Sequence, residues 1–544
     1  MLHGTIPFAA GLMLLSAAPA IAQADQGANA APPKAETVKP PGEHNHADMA
    51  APKTPQLLAG YGDGGFAITR KTPEAQAFFS NGLELNAAFA HRAASEAMKE
   101  AVRLDPKCAM CLWGQALVDG PTLNYGKDAK EREPLYRTVL QARALARANG
   151  TERERALIDA LATRYKPGRS IERRNRDYAE AMGKLAERYP LDNEVAVLYA
   201  DAVLEATARR GEKLSGQRAV AILETVLARA PNHTPAIHFY IHAAEFAGES
   251  GKAERFADRL GALAPHASHL VHMPSHTWYW LGRYQDAADA NVHAVELGKA
   301  NARRLGLAEP SGVWDLPYHA HNVIFGLGGA MMAGDPRTAL MLGRPLVEQS
   351  QNSGEAHPVM QLLAASGYFA LARFDDPQGV LALKEPKLPY LKAAWHYARG
   401  EAFAFLRDAA AVKAEAAAIP DKIPPPPQQS KQADDDSSPA PDQMLGIVRA
   451  VLTGRAAMME GRYADAAKAF TEAAVIEETE DFSVFSDPPA FWYPVRRDVA
   501  AALLAAGDRE GARAAIEASI KLRPRDPAAL ELLERIGAAG QSKR

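Results

Sequence analysis

Residues 231–246, PNHTPAIHFYIHAAEF, and residues 265–284, PHASHLVHMPSHTWYWLGRY, are one pattern written twice. Superposed, Pro231 falls on Pro265, His238 on His272 and His242 on His276, each pair 34 residues apart. Helix–turn–helix repeats recur at that period. Within each copy the two histidines are four residues apart, so on a helix they stand one turn above the other on the same face. The stretch therefore predicts an all-helical repeat array with four imidazoles stacked two by two. Pro274 sets a condition on this. If the second helix begins at Pro274 rather than near Ser268, His272 falls ahead of it and the stack is lost.

The same pattern can be followed in both directions. Towards the N-terminus, KTPEAQAFF places Thr72 as a cap and Pro73 as a first helical residue, where no backbone N–H is needed. Helical sequence continues from Ala129 to Arg210, broken near Gly150, at Pro167 to Arg169 and at Pro190. Towards the C-terminus, LGRYQDAADANVHAVEL and LPYHAHNVIFGLGGAMMAGDPRTAL open further units, and the array at 73–418 carries a His-rich section at 233–321. Residues 419–443 contain four consecutive prolines and three consecutive aspartates and read as an exposed linker. Beyond it, 444–544 holds more repeats, among them MEGRYADAAKAFTEAA, and a capping helix from Pro527 to Ile536.

A chain of 544 residues exceeds one compact core, a limit that a repeat array escapes because each unit contacts only its neighbours. With 62 basic and 65 acidic side chains the net charge is −3, which gives no footprint for nucleic acid or an anionic membrane surface. The apolar run Ile6 to Leu15, followed by Ala-x-Ala sites up to Ala24, predicts a signal peptide at 1–24, although Met1 to Thr5 lacks a basic residue. Export to a periplasm or the exterior follows as an expectation, with no membrane-spanning segment in the mature chain. Residues 25–72 begin with a stretch rich in Ala, Pro and charge and read as a disordered or extended tether.

These residues resemble the tetratricopeptide repeat (TPR) superfamily, most closely at 219–297 and 455–524 and more loosely over about 74–418. The phrases DPKCAMCLWGQAL, HLVHMPSHTWYWLGRY and DPPAFWYPVRRDVAAALL are similar to a bacterial subfamily of exported TPR proteins of unclear biochemical role. The resemblance implies helical hairpins stacked into a right-handed superhelix, with His238, His242, His272 and His276 turned to its concave groove. It also implies a protein or peptide partner held in that groove, in a binding or scaffold role. TPR modules that hold chaperone tails use Lys, Arg and Asn on this face, and histidine stands here instead.

Ten of the 16 histidines fall between 233 and 321. Helical i, i+4 spacing brings two rings within reach of one ion, and adjacent helices pack at about 8–10 Å. A shared site on His238, His242, His272 and His276, or two sites of two histidines each, fits that spacing, with Glu245, His269 and His321 as lesser ligands. Imidazole ligation suits Zn, Cu or Ni rather than Mg or Ca. Three other roles compete: satisfying buried backbone groups, bonding to Tyr240, Tyr279 or Glu245, and simple copying by repeat duplication. A transition-metal-binding protein or a metal-dependent enzyme is the alternative expectation, since an open position on such an ion would activate water for hydrolysis or oxidation, but no motif names a reaction. HExxH is absent, and the His-x-x-Glu pairs reverse the Glu-x-x-His order of di-iron bundles. Cys108 and Cys111, the only cysteines, make a C-x-x-C at a helix start, read as a local disulfide or a redox pair.

Overall fold

A computed structural model describes residues 55–206, 213–352, 356–424, 438–486 and 488–538. The expected signal peptide, the first part of the expected tether and most of the Pro/Asp-rich linker lie outside these residues. Among the described residues there is no β-strand; helices follow one another from Pro73 to Ala538 and consecutive ones pack together as hairpins. Pro73–Ala87 packs on His91–Leu104, Thr234–Phe246 on Lys213–Arg229, Tyr284–Arg304 on His319–Ala333 and Ala440–Met459 on Tyr463–Glu477. This is the all-α helical-hairpin array that the 34-residue register predicts. No helix among the described residues is long and apolar enough to cross a membrane.

Local chemistry sets the ends. The Thr72 hydroxyl accepts from the Ala75 amide and Pro73 opens the helix, as the sequence predicts. Helices between 129 and 205 end at Gly150, after Tyr165 and at Tyr189, and each successor starts under a Thr, Ser or Asp cap. Small residues then let neighbours approach. A Cβ on Gly329 would stand 2.8 Å from the Ala288 amide nitrogen, so the helix pair around it admits glycine alone.

Two expectations about the irregular segments change. Residues 55–72 have no regular secondary structure but lie packed on the array, because Tyr61 and Ile68 are buried and Asp63 bonds to Thr234 at the start of the Thr234–Phe246 helix. At the linker the next helix begins at Ala440, with Pro441 in its first turn. Repeats on either side of the linker pack directly: Gly400 faces Leu452, and Arg455 pairs with Glu401 at 3.2 Å.

The apolar interior forms two large clusters. One runs from Tyr61 to Met273, the other from Tyr279 to Ile536. The seam between them falls inside the second copy of the opening pattern, between Met273 and Tyr279. The final repeats fold back towards it: the Tyr284 hydroxyl donates to the Pro524 carbonyl at 2.8 Å, and Gly282, at φ +76°, leaves no room for a Cβ beside that same carbonyl.

Candidate functional site

The histidines occupy this seam. His238 and His242 come from Thr234–Phe246, His269 and His272 from Ser268–His272, His276 from Pro274–Trp280 and His321 from His319–Ala333. Met273 keeps right-handed helical angles between the two short helices (φ −52°, ψ −36°), so the backbone winds on through Pro274. His272 and His276 therefore remain stacked, with ring centroids 4.9 Å apart.

All four histidines of the paired motifs are buried rather than displayed on an open groove, and so is His269; His321 is partly exposed. The structure keeps the two pairs in two groups, as the second arrangement has it, and adds a third histidine to each. His238 and His242 join His269, while His272 and His276 join His321, and within each trio the ligand atoms lie within 4.8 Å of one another. Both lesser histidines are thus full members. Glu245 forms a third set with His242 and His276, and His242 and His276 stand ring to ring at 5.4 Å.

Hydrogen bonds fix which nitrogen faces inward in three of the rings, His238, His272 and His276. His238 Nδ1 is 2.7 Å from the Ala87 carbonyl, which only accepts, so Nδ1 carries the proton and Nε2 is left bare in the neutral ring. Asn291 Nδ2 donates to the Ala287 carbonyl, which turns Asn291 Oδ1 to accept from His272 Nδ1 at 2.7 Å. Glu245 Oε2 accepts from His276 Nδ1 at 2.9 Å, and its other oxygen accepts from Trp280 Nε1 at 3.0 Å. Such partners on Nδ1 are the usual support of metal-binding imidazoles.

The consequence is sharp for one pair. His272 Nε2 and His276 Nε2 are 2.9 Å apart, and both carry lone pairs because both protons sit on Nδ1. Two bare nitrogens at that distance repel unless a cation lies between or beside them. A proton would serve, and so would a metal ion. His238 Nε2 and His269 Nε2 lie 3.1 Å apart, but His269 Nδ1 has no hydrogen-bond partner among the described residues, so His269 Nε2 can carry the proton and donate to His238 Nε2.

Burial favours the neutral form of His238, His269 and His272. Loss of water holds the His238 imidazole down at about 3. His269 and His272 are also held well below the ordinary range, first by burial and then by neighbouring histidines.

Aromatic rings close the site. Phe89 stacks on His269 at 4.7 Å and meets His238 edge-on at 4.5 Å; Phe325 packs on His276 at 4.4 Å; Tyr318 lies 4.5 Å from His269. Phe89 and Tyr318 both have positive φ, 53° and 69°, which bulky residues rarely adopt. Backbone strain of this kind gathers at functional sites. Nothing in the sequence marks Phe89, Asn291 or Tyr318, since each is set by where the chain passes rather than by a motif.

The remaining histidines of the 233–321 section stand apart. His233 caps its helix and bonds Glu194, His266 bonds the Ala59 carbonyl, His293 is exposed and His319 packs on Trp314. Tyr240 donates to Glu224, not to a histidine. Cys108 and Cys111 are joined in a buried disulfide, and Cys108 Sγ also accepts from the Cys111 amide at the start of Ala109–Val118. These sulfurs are spent on each other and take no part in the histidine cluster.

Beside the cluster opens a cavity of about 960 Å³, lined by Glu245 and Trp280 on one side and by Glu477, Phe482, Phe491 and Arg523 on the other. Loss of water pushes the Glu477 carboxyl up to about 8, against the Val495 amide that donates to it at 2.8 Å. The folded chain thus holds this proton more tightly than the unfolded chain. Its stabilising contribution is complete below about pH 4.3, shrinks as pH rises and is gone above about pH 8. Glu477→Gln keeps the acceptor and removes the charge. In urea titrations it is expected to match the wild type near pH 4 and to exceed it at pH 9 by on the order of 2 kcal/mol, discounted for partial exposure.

No protein-family model matches the chain, and no curated protein does. Solved structures similar to it include the Cut9–Hcn1 hetero-tetramer of the APC/C, 14% identical over 85% of this chain and 76% of that one with a TM-score of 0.31. Yeast Tom70 is 13% identical over 87% of this chain and 90% of its own, with a TM-score of 0.29. The P58(IPK) TPR domain is 11% identical over 86% of this chain and 99% of its own, with a TM-score of 0.22. At these identities and scores the likeness says nothing of the site or its ligand, which are read from the side chains alone.

Proposed function

We propose that this helical-repeat protein binds a transition metal, Zn, Cu or Ni, at the buried histidine cluster. The observation that carries the reading is the His272–His276 pair, whose Nε2 atoms face each other at 2.9 Å with both Nδ1 protons committed to Asn291 and Glu245. A proton alone would answer that pair, but it would not account for His321 and a second trio converging on the same seam. All-imidazole ligation favours these borderline ions over hard oxygen-seeking ones. Export to the cell envelope belongs to the same reading, supported by the apolar run at Ile6 to Leu15 and by the disulfide, which suits an oxidising compartment.

The test is elemental analysis of the untagged protein from its native compartment, beside His272→Ala/His276→Ala, with the fold followed by circular dichroism. Near-stoichiometric Zn, Cu or Ni in the first and a fall of at least tenfold in the second is expected. A wild-type protein that is metal-free, and takes up none when offered it, refutes the reading.

A second role, peptide binding by the array, is favoured by the cavity between the Glu245–Trp280 wall and the last repeats, which offers aromatic surface and charges of both signs. It is compatible with the first. A partner peptide held there would protect Trp280 from quenching by acrylamide, and no change in quenching with bound partner would argue against that location.

A further inference from the structure

We infer that the cluster holds two metal ions side by side, one on His238, His242 and His269 and one on His272, His276 and His321, with a small anion bridging them. This rests on the metal-binding reading above. Donor count, placement and charge lead to it.

The first is donor count. Six imidazoles are too many for one tetrahedral ion, and the four of the paired motifs do not form a set of their own. A tetrahedral ion with nitrogen at about 2.0–2.1 Å spaces its donors by about 3.3 Å. The contacts within each trio, 3.1 Å between His238 and His269 and 2.9 Å between His272 and His276, are already near that edge length. Three donors leave each ion one open position.

The second is placement. The first trio packs against Phe89, which belongs to the N-terminal apolar cluster, and the second against Phe325, which belongs to the C-terminal one. Each trio is thus supported from its own side. They meet along one wall, where His242 faces His276 at 5.4 Å and His269 faces His272 at 5.5 Å between ring centroids. Open positions on either side of a shared wall can be filled by one ligand.

The third is charge. Six neutral imidazoles do nothing to offset two divalent cations, and among the described residues Glu245 is the one carboxylate grouped with them. Burying the remaining positive charge among phenylalanine rings is unfavourable unless an anion accompanies it. Hydroxide or another small anion in the bridging position supplies this. The cavity of about 960 Å³ comes up to the edge of the cluster at Glu245, which lines it and bonds His276.

The experiment loads the full chain with Cu(II), removes excess, and measures copper per chain, electron paramagnetic resonance intensity and the response to azide. His269→Ala and His321→Ala, each taking one ligand from one trio, are measured alongside. The inference expects about two copper ions per wild-type chain, a resonance far weaker than two isolated ions would give, and a new absorption band on adding azide. Each single variant should fall to about one copper and recover an isolated-ion spectrum. One copper per wild-type chain overturns the paired centre while leaving metal binding intact. Two coppers with full, uncoupled intensity and no response to azide overturn the bridging anion. No copper at all overturns the metal-binding reading itself.

Discussion

Zinc or copper added to the metal-stripped protein is expected to raise its resistance to heat and urea markedly, and the His272→Ala/His276→Ala variant is expected to lose most of that response. A ligand that binds only the folded chain stabilises it by about 4.1 kcal/mol when present at a thousandfold over its Kd. The effect should be large here because of where the ligands come from. His238 and His242 sit on one repeat, His269, His272 and His276 on the next and His321 on the one after, so bound metal ties three successive units across the seam between the two apolar clusters. In a repeat array each unit is otherwise held chiefly by its neighbours, here with added contacts from residues 55–72 and from Pro524. Differential scanning calorimetry with and without chelator reads this directly. Unfolding that is insensitive to metal in the wild-type protein would contradict it.

Phe325→Ala is expected to cost about 3–5 kcal/mol, the usual range for removing a fully buried phenylalanine. Its ring touches His272 at 4.9 Å, His276 at 4.4 Å and His321 at 5.2 Å, so the second trio loses its supporting wall along with the core volume. A drop in metal affinity of about 10–100-fold should accompany the loss, as for other groups that orient ligands. Phe325→Leu separates the two effects. It restores most of the volume and hence most of the stability, but it offers the three imidazoles no flat face. If the alanine variant retained wild-type affinity, the ring would be a core residue only.

Much of this was legible in the sequence, and the limits have physical causes. The repeat period and the His-x-x-x-His spacing act within one helix turn or one hairpin, so they survive in any fold of these helices. Thr72, Pro73 and the breaks near Gly150, at Pro167 to Arg169 and at Pro190 were readable for the same reason. The third histidine of each group was not. His269 lies a turn before His272 and reads as its neighbour, yet its ring leans to His238 on the previous repeat. His321 reaches the second trio only because His319–Ala333 packs along Tyr284–Arg304. Phe89 adopts its positive φ without a glycine to announce it. Residues 55–72 look like a continuation of the polar stretch before them, and only the burial of Tyr61 and Ile68 reveals a strap laid over the array.

The most direct test of the central claim is a crystal structure of the metal-loaded protein with anomalous diffraction measured on both sides of the absorption edge of the metal found by elemental analysis. Anomalous peaks are expected within about 2.0–2.1 Å of the inward Nε2 atoms of His272 and His276, with His321 completing the set. Anomalous density only at surface histidines such as His293, with His272 and His276 Nε2 still facing each other and nothing between or beside them, would contradict it.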